Sequence, residues 1–374
     1  MKFIIKRDLL LKSLNNVSKV FSSKVLLPVL SNFKFSLRRE KLEILASNGE
    51  TTIVDSIDTY NELGEKVFEY TATGDCLIPH RVLEIVRRLT GENISIDLVD
   101  DSILGIDDGS TSFKLNTIPS KEYPYISLDL SIDAVEVNAK EFARSVSQVA
   151  FAASNKDTTN VLTAVNMFTK DRKLVLSATD GARLSRKIID IGSPKEFTAN
   201  IPSKTLTDVA RMAEGNDVVI IGFEQKKIYF RLGSMIIFST LITGDYPNLN
   251  GVLSSRYTID LQTNSKEIIS ALERVALLFI DKQTSAKLKV SGSEFKITSK
   301  SPQFGSVVEN ISNYSFDSQA FEINVDCDYV TQAIRAIGKE NITFKFTGET
   351  KPLFIVSEDE PNLIQVITPL RVIH

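Results

Sequence analysis

The chain has 374 residues, 43% hydrophobic and 24% charged, with a net charge of −3, which is room for two or three domains of roughly 100 to 150 residues each. No apolar run reaches the ~18 residues of a membrane span, and the opening MKFIIKRDLLLKSL is charged where a secretory signal is apolar, so a cytoplasmic protein is expected. Two cysteines, Cys76 and Cys327, and two histidines, His80 and His374, exclude a disulfide framework and leave little for a zinc site or a Ser-His-Asp triad.

The glycine spacing rules out GxGxxG and the P-loop, and GxSxG is absent. No cofactor or metal is expected, and the only catalysis left open is one using carboxylates and lysines.

In chain order, the alternating FIIK at residue 3 leads into a helix over 6–24, with Leu10, Leu14 and Val17 on one face. A strand over 41–46 follows, then a helix over 80–89 and a strand over 94–99. Helices over 140–156 and 203–213 bracket a strand over 173–178, and strands over 218–223 and 227–232 come next. The last third predicts a helix over 265–282 with Ile268, Leu272 and Val275 inward, a strand over 295–299, a helix over 326–339 and a strand over 342–346.

These elements repeat. CLIPHRVLEIVRRLTGENISIDLV from Cys76, ANIPSKTLTDVARMAEGNDVVIIGF from Ala199 and EINVDCDYVTQAIRAIGKENITFKF from Glu322 share one pattern, and Pro79, Pro202 and Val325 are spaced by 123 residues. Tyr123-Pro124 and Tyr246-Pro247 have the same spacing. Three units are expected, at 1–127, 128–253 and 254–374, each α+β with two helices on largely antiparallel sheet.

The repeat also interprets SATDGARLSRKI at 177–188. Asp180-Gly181 stands where the other units have Asn48-Gly49 and Ser301-Pro302, all turn formers, so Asp180 reads as turn chemistry rather than a catalytic base. Ala182-Arg183-Leu184 does not repeat, its counterpart being Glu50-Thr51-Thr52.

Charge is unevenly spread. The six helical windows sum to +9, leaving −12 for the rest. A basic helical surface attracts a polyanion through local charge even when the total is negative. With no Trp and no basic cluster interleaved with aromatics, contacts to nucleic acid should go to phosphates, be salt-sensitive and ignore sequence.

The start MKF, LLPVLSNF at 26–33, LIPHRVLEIVRRL, TNVLTAVNM at 159–167, ATDGARLS at 178–185, GDYPNL at 244–249 and VITPLR at 366–371 occur in this order. Together they resemble the bacterial DNA polymerase III beta subunit family, the sliding clamps, over the whole length. The resemblance implies a non-enzymatic processivity factor. It would be a head-to-tail homodimer whose six domains ring double-stranded DNA, helices inward.

It also implies partners: the replicative polymerase catalytic subunit, the clamp loader, and other polymerases and repair proteins carrying clamp-binding peptides. The rival readings are a carboxylate enzyme on a triplicated fold and a monomeric DNA-binding or scaffold protein derived from the clamp.

By position, the resemblance puts DNA contacts at Lys24 and Arg81, and Lys204 occupies the place of Arg81 in the second repeat. The family's Arg or Tyr near Asn160 and Val161 is missing. A hydrophobic peptide pocket between the second and third domains carries over to Leu162, Thr179, Gly181, Ala182, Arg183, Leu184, Pro247, Val252, Leu353, Val366, Thr368, Pro369, Leu370 and Arg371. Gly251, Thr368 and the three residues beyond Arg371 depart from the family's pattern. The dimer contact maps to Phe113 and Leu115 facing Leu277 and Leu278. Few charges stand nearby, Glu309 being the acid of SPQFGSVVEN, so an apolar, salt-insensitive interface is expected.

Overall fold

A computed structural model describes residues 1–21, 27–99, 102–128, 130, 134–156, 161–224, 226–254, 256–279 and 285–370. One order of elements occurs three times, with one strand fewer between the two main helices of the second repeat. The first repeat has β1 (Lys2–Lys6), α1 (Arg7–Ser18), β2 (Asn32–Leu37), β3 (Lys41–Ser47), β4 (Thr51–Asp58), β5 (Phe68–Ala72), β6 (Gly74–Pro79), α2 (Val82–Arg88), β7 (Asn93–Val99), β8 (Ile103–Asp107) and β9 (Ser112–Asn116).

The second has β10 (Ala134–Asn138), α3 (Ala139–Val149), β11 (Ala164–Lys170), β12 (Lys173–Thr179), β13 (Arg183–Asp190), β14 (Thr198–Pro202), α4 (Ser203–Met212), β15 (Val218–Glu224), β16 (Lys227–Leu232), β17 (Met235–Thr240) and a short α5 (Asn250–Leu253). The third has β18 (Ile259–Asn264), α6 (Ser265–Ala276), β19 (Ser285–Val290), β20 (Phe295–Ser301), β21 (Gly305–Asn310), β22 (Tyr314–Phe316), β23 (Phe321–Asp326), α7 (Cys327–Ile337), β24 (Asn341–Phe346), β25 (Leu353–Val356) and β26 (Leu363–Ile367).

The helices form where sequence chemistry starts and stops them. The Asn264 side chain accepts from the N–H groups of Lys266 and Glu267 at the head of α6, and Asp326 does the same for Asp328 and Tyr329 at α7. Gly338 ends α7 in the left-handed region at φ 65°. The expected inward faces are buried: Leu10, Leu14 and Val17 on α1, and Ile268, Leu272 and Val275 on α6.

α6 packs with α7 over Phe295, Phe344 and Phe346, each such burial stabilising by about 1.5–3 kcal/mol. Several helices are shorter than their sequence windows. α1 stops at Ser18, where a turn brings Phe21 edge-on to Phe33 at 5.0 Å, so packing overrides the helical spacing.

The described residues form two compact units. One comprises Met1–Lys140 with Arg211–Leu241, the other Glu141–Ala210 with Ile242–His374. Each unit holds a sheet that runs from one repeat into the next. In the first, the order is β10-β15-β16-β17-β4-β3-β2-β6, joined where β17 pairs antiparallel with β4. In the second it is β14-β11-β12-β13-β26-β25-β24-β18-β22, joined where β13 pairs antiparallel with β26.

Each unit also has a sheet from a single repeat, β5-β1-β7-β8-β9 in the first and β21-β20-β19-β23 in the second. Both inter-repeat junctions therefore unite the last strand of one repeat with the fourth strand of the repeat before it. Of these two strand types, only β9 and β21 keep an unpaired edge among the described residues.

Among the described residues no helix is long and apolar enough to cross a membrane, and no group of three or more His, Cys, Asp or Glu is placed to hold a metal ion. Both cysteines are buried, and burial pushes the Cys76 thiol up to about 12. Thiolate is the reactive form, so Cys76 should resist iodoacetamide at pH 8 in the folded protein and label on unfolding in urea. Labelling of Cys76 in the folded chain, read by mass spectrometry, would contradict this burial.

Candidate functional site

The Asp180-Gly181 pair closes the β12–β13 hairpin. The Asp180 Oδ1 accepts from the N–H groups of Ala182 at 2.9 Å and Arg183 at 3.0 Å, and Gly181 takes φ +92°, which a side chain resists. The first repeat makes the same turn: the Asn48 Oδ1 accepts from Glu50 at 2.9 Å and Thr51 at 2.8 Å, and Gly49 has φ +95°. Asp180 is thus a turn former, as the repeat implies. The Thr179 N–H donates to the Tyr246 hydroxyl at 3.0 Å, bracing the strand end, and burial pushes that phenol up to about 12.

Arg183 is spent inside the protein. Its Nε donates to Asp180 at 3.0 Å, and its two terminal nitrogens donate to the Gln332 side chain at 2.7 Å and to the Phe151 carbonyl at 2.8 Å. The guanidinium lies 4.5 Å from the Tyr329 ring centre and 5.3 Å from that of Phe151, and only 10% of the side chain is exposed. It ties β13 to α7 and to the 3-10 turn Ala150–Ala152 and so holds the 179–184 wall in place. Nearby, buried Glu360 collects Lys187 of β13 and Arg144 of α3, a second tie of the same kind.

Beside this wall Leu184, Val366 and Phe354 form an apolar cluster, with Leu249, Val252, Leu253, Tyr257 and Ile364 against it. The register explains it: Leu184 pairs with Val366, which pairs in turn with Phe354, so all three share one face of the sheet. Tyr257 meets Phe354 edge-on at 4.6 Å. Thr368 is fixed by its N–H to the Ala182 carbonyl at 2.8 Å, and Leu370 is 37% exposed.

Of the sequence-derived residues, Leu184, Val252 and Val366 come together, with Thr179, Gly181, Ala182 and Thr368 along the wall. Leu162 is half-buried, as is Pro369, while Pro247 is exposed next to the Tyr246 brace. Leu353 is corrected. It joins the core under α6 and α7, because alternation along β25 puts it on the face opposite Phe354, which is itself fully buried in the Leu184 cluster. The sequence reasoning missed Phe354, Leu249, Leu253, Tyr257 and Ile364. The continuous apolar run LFIV marks a buried strand, but without polar alternation it does not say which face is which. Arg371 lies outside the described residues.

Arg81 immediately precedes α2 and Lys204 is the second residue of α4, both exposed, 123 positions apart. The third counterpart, Cys327, is buried. Lys24 lies outside the described residues. Many helix arginines are neutralised locally: Arg87 by Glu84, Arg144 by Glu360, Arg274 by Glu309 and Arg335 by Glu273. Lys12, Lys19, Arg81, Arg88 and Lys204 are exposed with no carboxylate partner among the described residues, and they are among the cations available to a polyanion.

Phe113 and Leu115 are half-buried on the β9 edge strand. Leu277, at the end of α6, is 82% exposed, and Leu278 beside it is half-buried.

Three family profiles match in succession: the DNA polymerase III beta subunit N-terminal domain over residues 1–127, the central domain over 136–248 and the C-terminal domain over 251–371. A beta sliding clamp of Staphylococcus epidermidis is 27% identical over 375 residues, covering 99% of each chain. One of Staphylococcus aureus is 26% identical with the same coverage. The crystal structure of a DNA polymerase sliding clamp from Bacillus subtilis superposes with a TM-score of 0.93 at 25% identity, covering 100% of both chains.

Proposed function

The chain belongs to the DNA polymerase III beta subunit family and is a sliding clamp, and from that premise we propose that two copies join head to tail in a ring of six domains around duplex DNA. The domains run 1–127, 128–253 and 254–374. The observation that carries the ring is the pattern of strand edges. Each chain makes the junctions β17·β4 and β26·β13 internally and, among the described residues, keeps one free edge on β9 and one on β21.

Pairing β9 of one copy with β21 of another repeats the same junction twice more and leaves no edge of that kind open, which also removes an aggregation hazard. Phe113 and Leu115 on β9, with Leu277 and Leu278 after α6, would form the apolar plug of each contact.

A ring holds DNA topologically, so affinity can stay low and the clamp can slide. Arg81, Lys204 and Lys24, joined by Lys12, Lys19 and Arg88, would touch phosphates without reading bases. The chain performs no chemistry in this reading and needs no metal or cofactor. The cluster around Leu184, Phe354 and Val366 would take a short hydrophobic peptide. Such peptides would come from the replicative polymerase catalytic subunit, the clamp loader, and other polymerases and repair proteins.

The test is retention. Loaded protein should stay on nicked circular plasmid through gel filtration and leave once the plasmid is linearised. Equal loss from both would remove the ring. A light-scattering mass of one 41.6 kDa chain would favour the monomeric scaffold instead.

A further inference from the structure

The first unit contains a second pocket built on the plan of the peptide pocket. Around Leu184 the register runs Leu184, Val366, Phe354 across three strands. In the first unit the equivalent run is Thr52, Phe238, Tyr229 across β4, β17 and β16. The same Asx turn forms the wall, with Asn48-Gly49 for Asp180-Gly181. Tyr123, 123 residues before Tyr246, is likewise buried, although its hydroxyl finds no hydrogen-bond partner among the described residues where that of Tyr246 accepts from the Thr179 N–H. Leu30, Tyr229 and Phe238 join one apolar cluster.

What results is an open cavity of about 280 Å³, lined by Leu27, Leu30, Glu50, Tyr125, Lys227 and Phe238 among others. Tyr125 is 90% exposed and Leu27 51% exposed at its edge. The volume is just below the range usual for ligand pockets, about 300–1,000 Å³, and fits one or two large side chains rather than a cofactor.

We propose that this cavity is a second docking site, for a short linear peptide carrying a large apolar side chain next to a cationic one. The argument rests on reading the Leu184 cluster as a peptide pocket, since the shared register is what identifies the ligand class. The rim sets the difference in preference. Glu50 stands where the Leu184 pocket has Ala182, so a lysine or arginine beside the apolar anchor meets a carboxylate here and none at that position in the other pocket. Lys227 lines the same cavity and would take a backbone carbonyl of the peptide.

The experiment is a titration of methyl-labelled full chain with acetyl-Lys-Leu-Phe-amide, following the Ile126 methyls for this cavity and the Val252 methyls for the Leu184 pocket. Both sets should shift saturably. Tyr125→Ala, at a side chain too exposed to carry the fold, should weaken the Ile126 response about tenfold and spare Val252. Leu370→Ala should do the reverse. Glu50→Lys should weaken the Ile126 response about threefold and make acetyl-Glu-Leu-Phe-amide the better probe there.

A silent Ile126, an Ile126 response indifferent to Tyr125→Ala, or one blind to probe charge overturns the second site. A silent Val252 beside a Tyr125-dependent Ile126 shift overturns the peptide reading of the Leu184 pocket alone.

Discussion

A Leu277→Asp chain is expected to run as a single 41.6 kDa copy under conditions where the unaltered protein runs as two, and to be lost from nicked circular plasmid. Leu277 is 82% exposed in the single chain, so the change leaves the fold alone and acts on the contact between copies. One turn earlier on α6, Arg274 grips Glu309 of β21 through two bonds of 2.8 and 2.6 Å, which places Leu277 near the free strand edge. There Val308 is 56% and Phe304 50% exposed.

An unpaired carboxylate desolvated in that apolar contact costs several kcal/mol. A loss of about 3 kcal/mol is roughly a hundredfold in dissociation constant.

Glu309 is already answered within its own chain, and the Arg274 guanidinium holds its carboxyl below the usual range. A carboxylate with a depressed folded pKa contributes above its unfolded pKa and loses that contribution as pH falls through the folded one. The grip should therefore persist through mild acid. Raising salt at neutral pH should leave the mass from light scattering unchanged. A dimer that dissociates in moderate salt, or survives Leu277→Asp, would mean the contact is built on other groups.

Arg183→Ala should lower the stability of the unit that contains it by about 3 kcal/mol, the scale for removing one partner of a buried, hydrogen-bonded charge pair. Five contacts go at once: Asp180, Gln332, the Phe151 carbonyl and the rings of Phe151 and Tyr329. Arg183→Lys should lose nearly as much, since an ammonium supplies neither the planar fork nor the stacking.

Peptide affinity should fall in both variants because the 179–184 wall loses its tie. Leu370→Ala, at a half-exposed side chain, should cut affinity about tenfold with an unchanged melting temperature. Thermal melts read beside peptide binding separate these roles. An Arg183→Ala protein that melts like the unaltered chain would make Arg183 a ligand contact after all.

Much of this protein is legible in its residues alone. All six long helices and the strands at β3, β7, β12, β15, β16, β20 and β24 follow local amphipathic periods, and those periods are set by residues a few positions apart. The 123-residue repeat and the Asn48 and Asp180 turns are likewise local chemistry copied along the chain. With two histidines and two cysteines the composition leaves little for a zinc site or a Ser-His-Asp triad, and a residue count needs no fold to be read.

Three things are decided only in three dimensions. α1 stops at Ser18 because Phe21 finds Phe33. Phe354 rather than Leu353 faces the candidate pocket because β25 pairs with β26 in one register, and a shift of one residue would exchange the two faces. Arg183 becomes a tether because strand pairing and the turn after α3 bring Gln332 and Phe151 to it from 149 and 32 positions away. Sequence dictates what each segment prefers within its own few turns. Which distant segment it meets, and in what register, depends on how all the apolar faces are buried together, and that is settled only when the chain is folded.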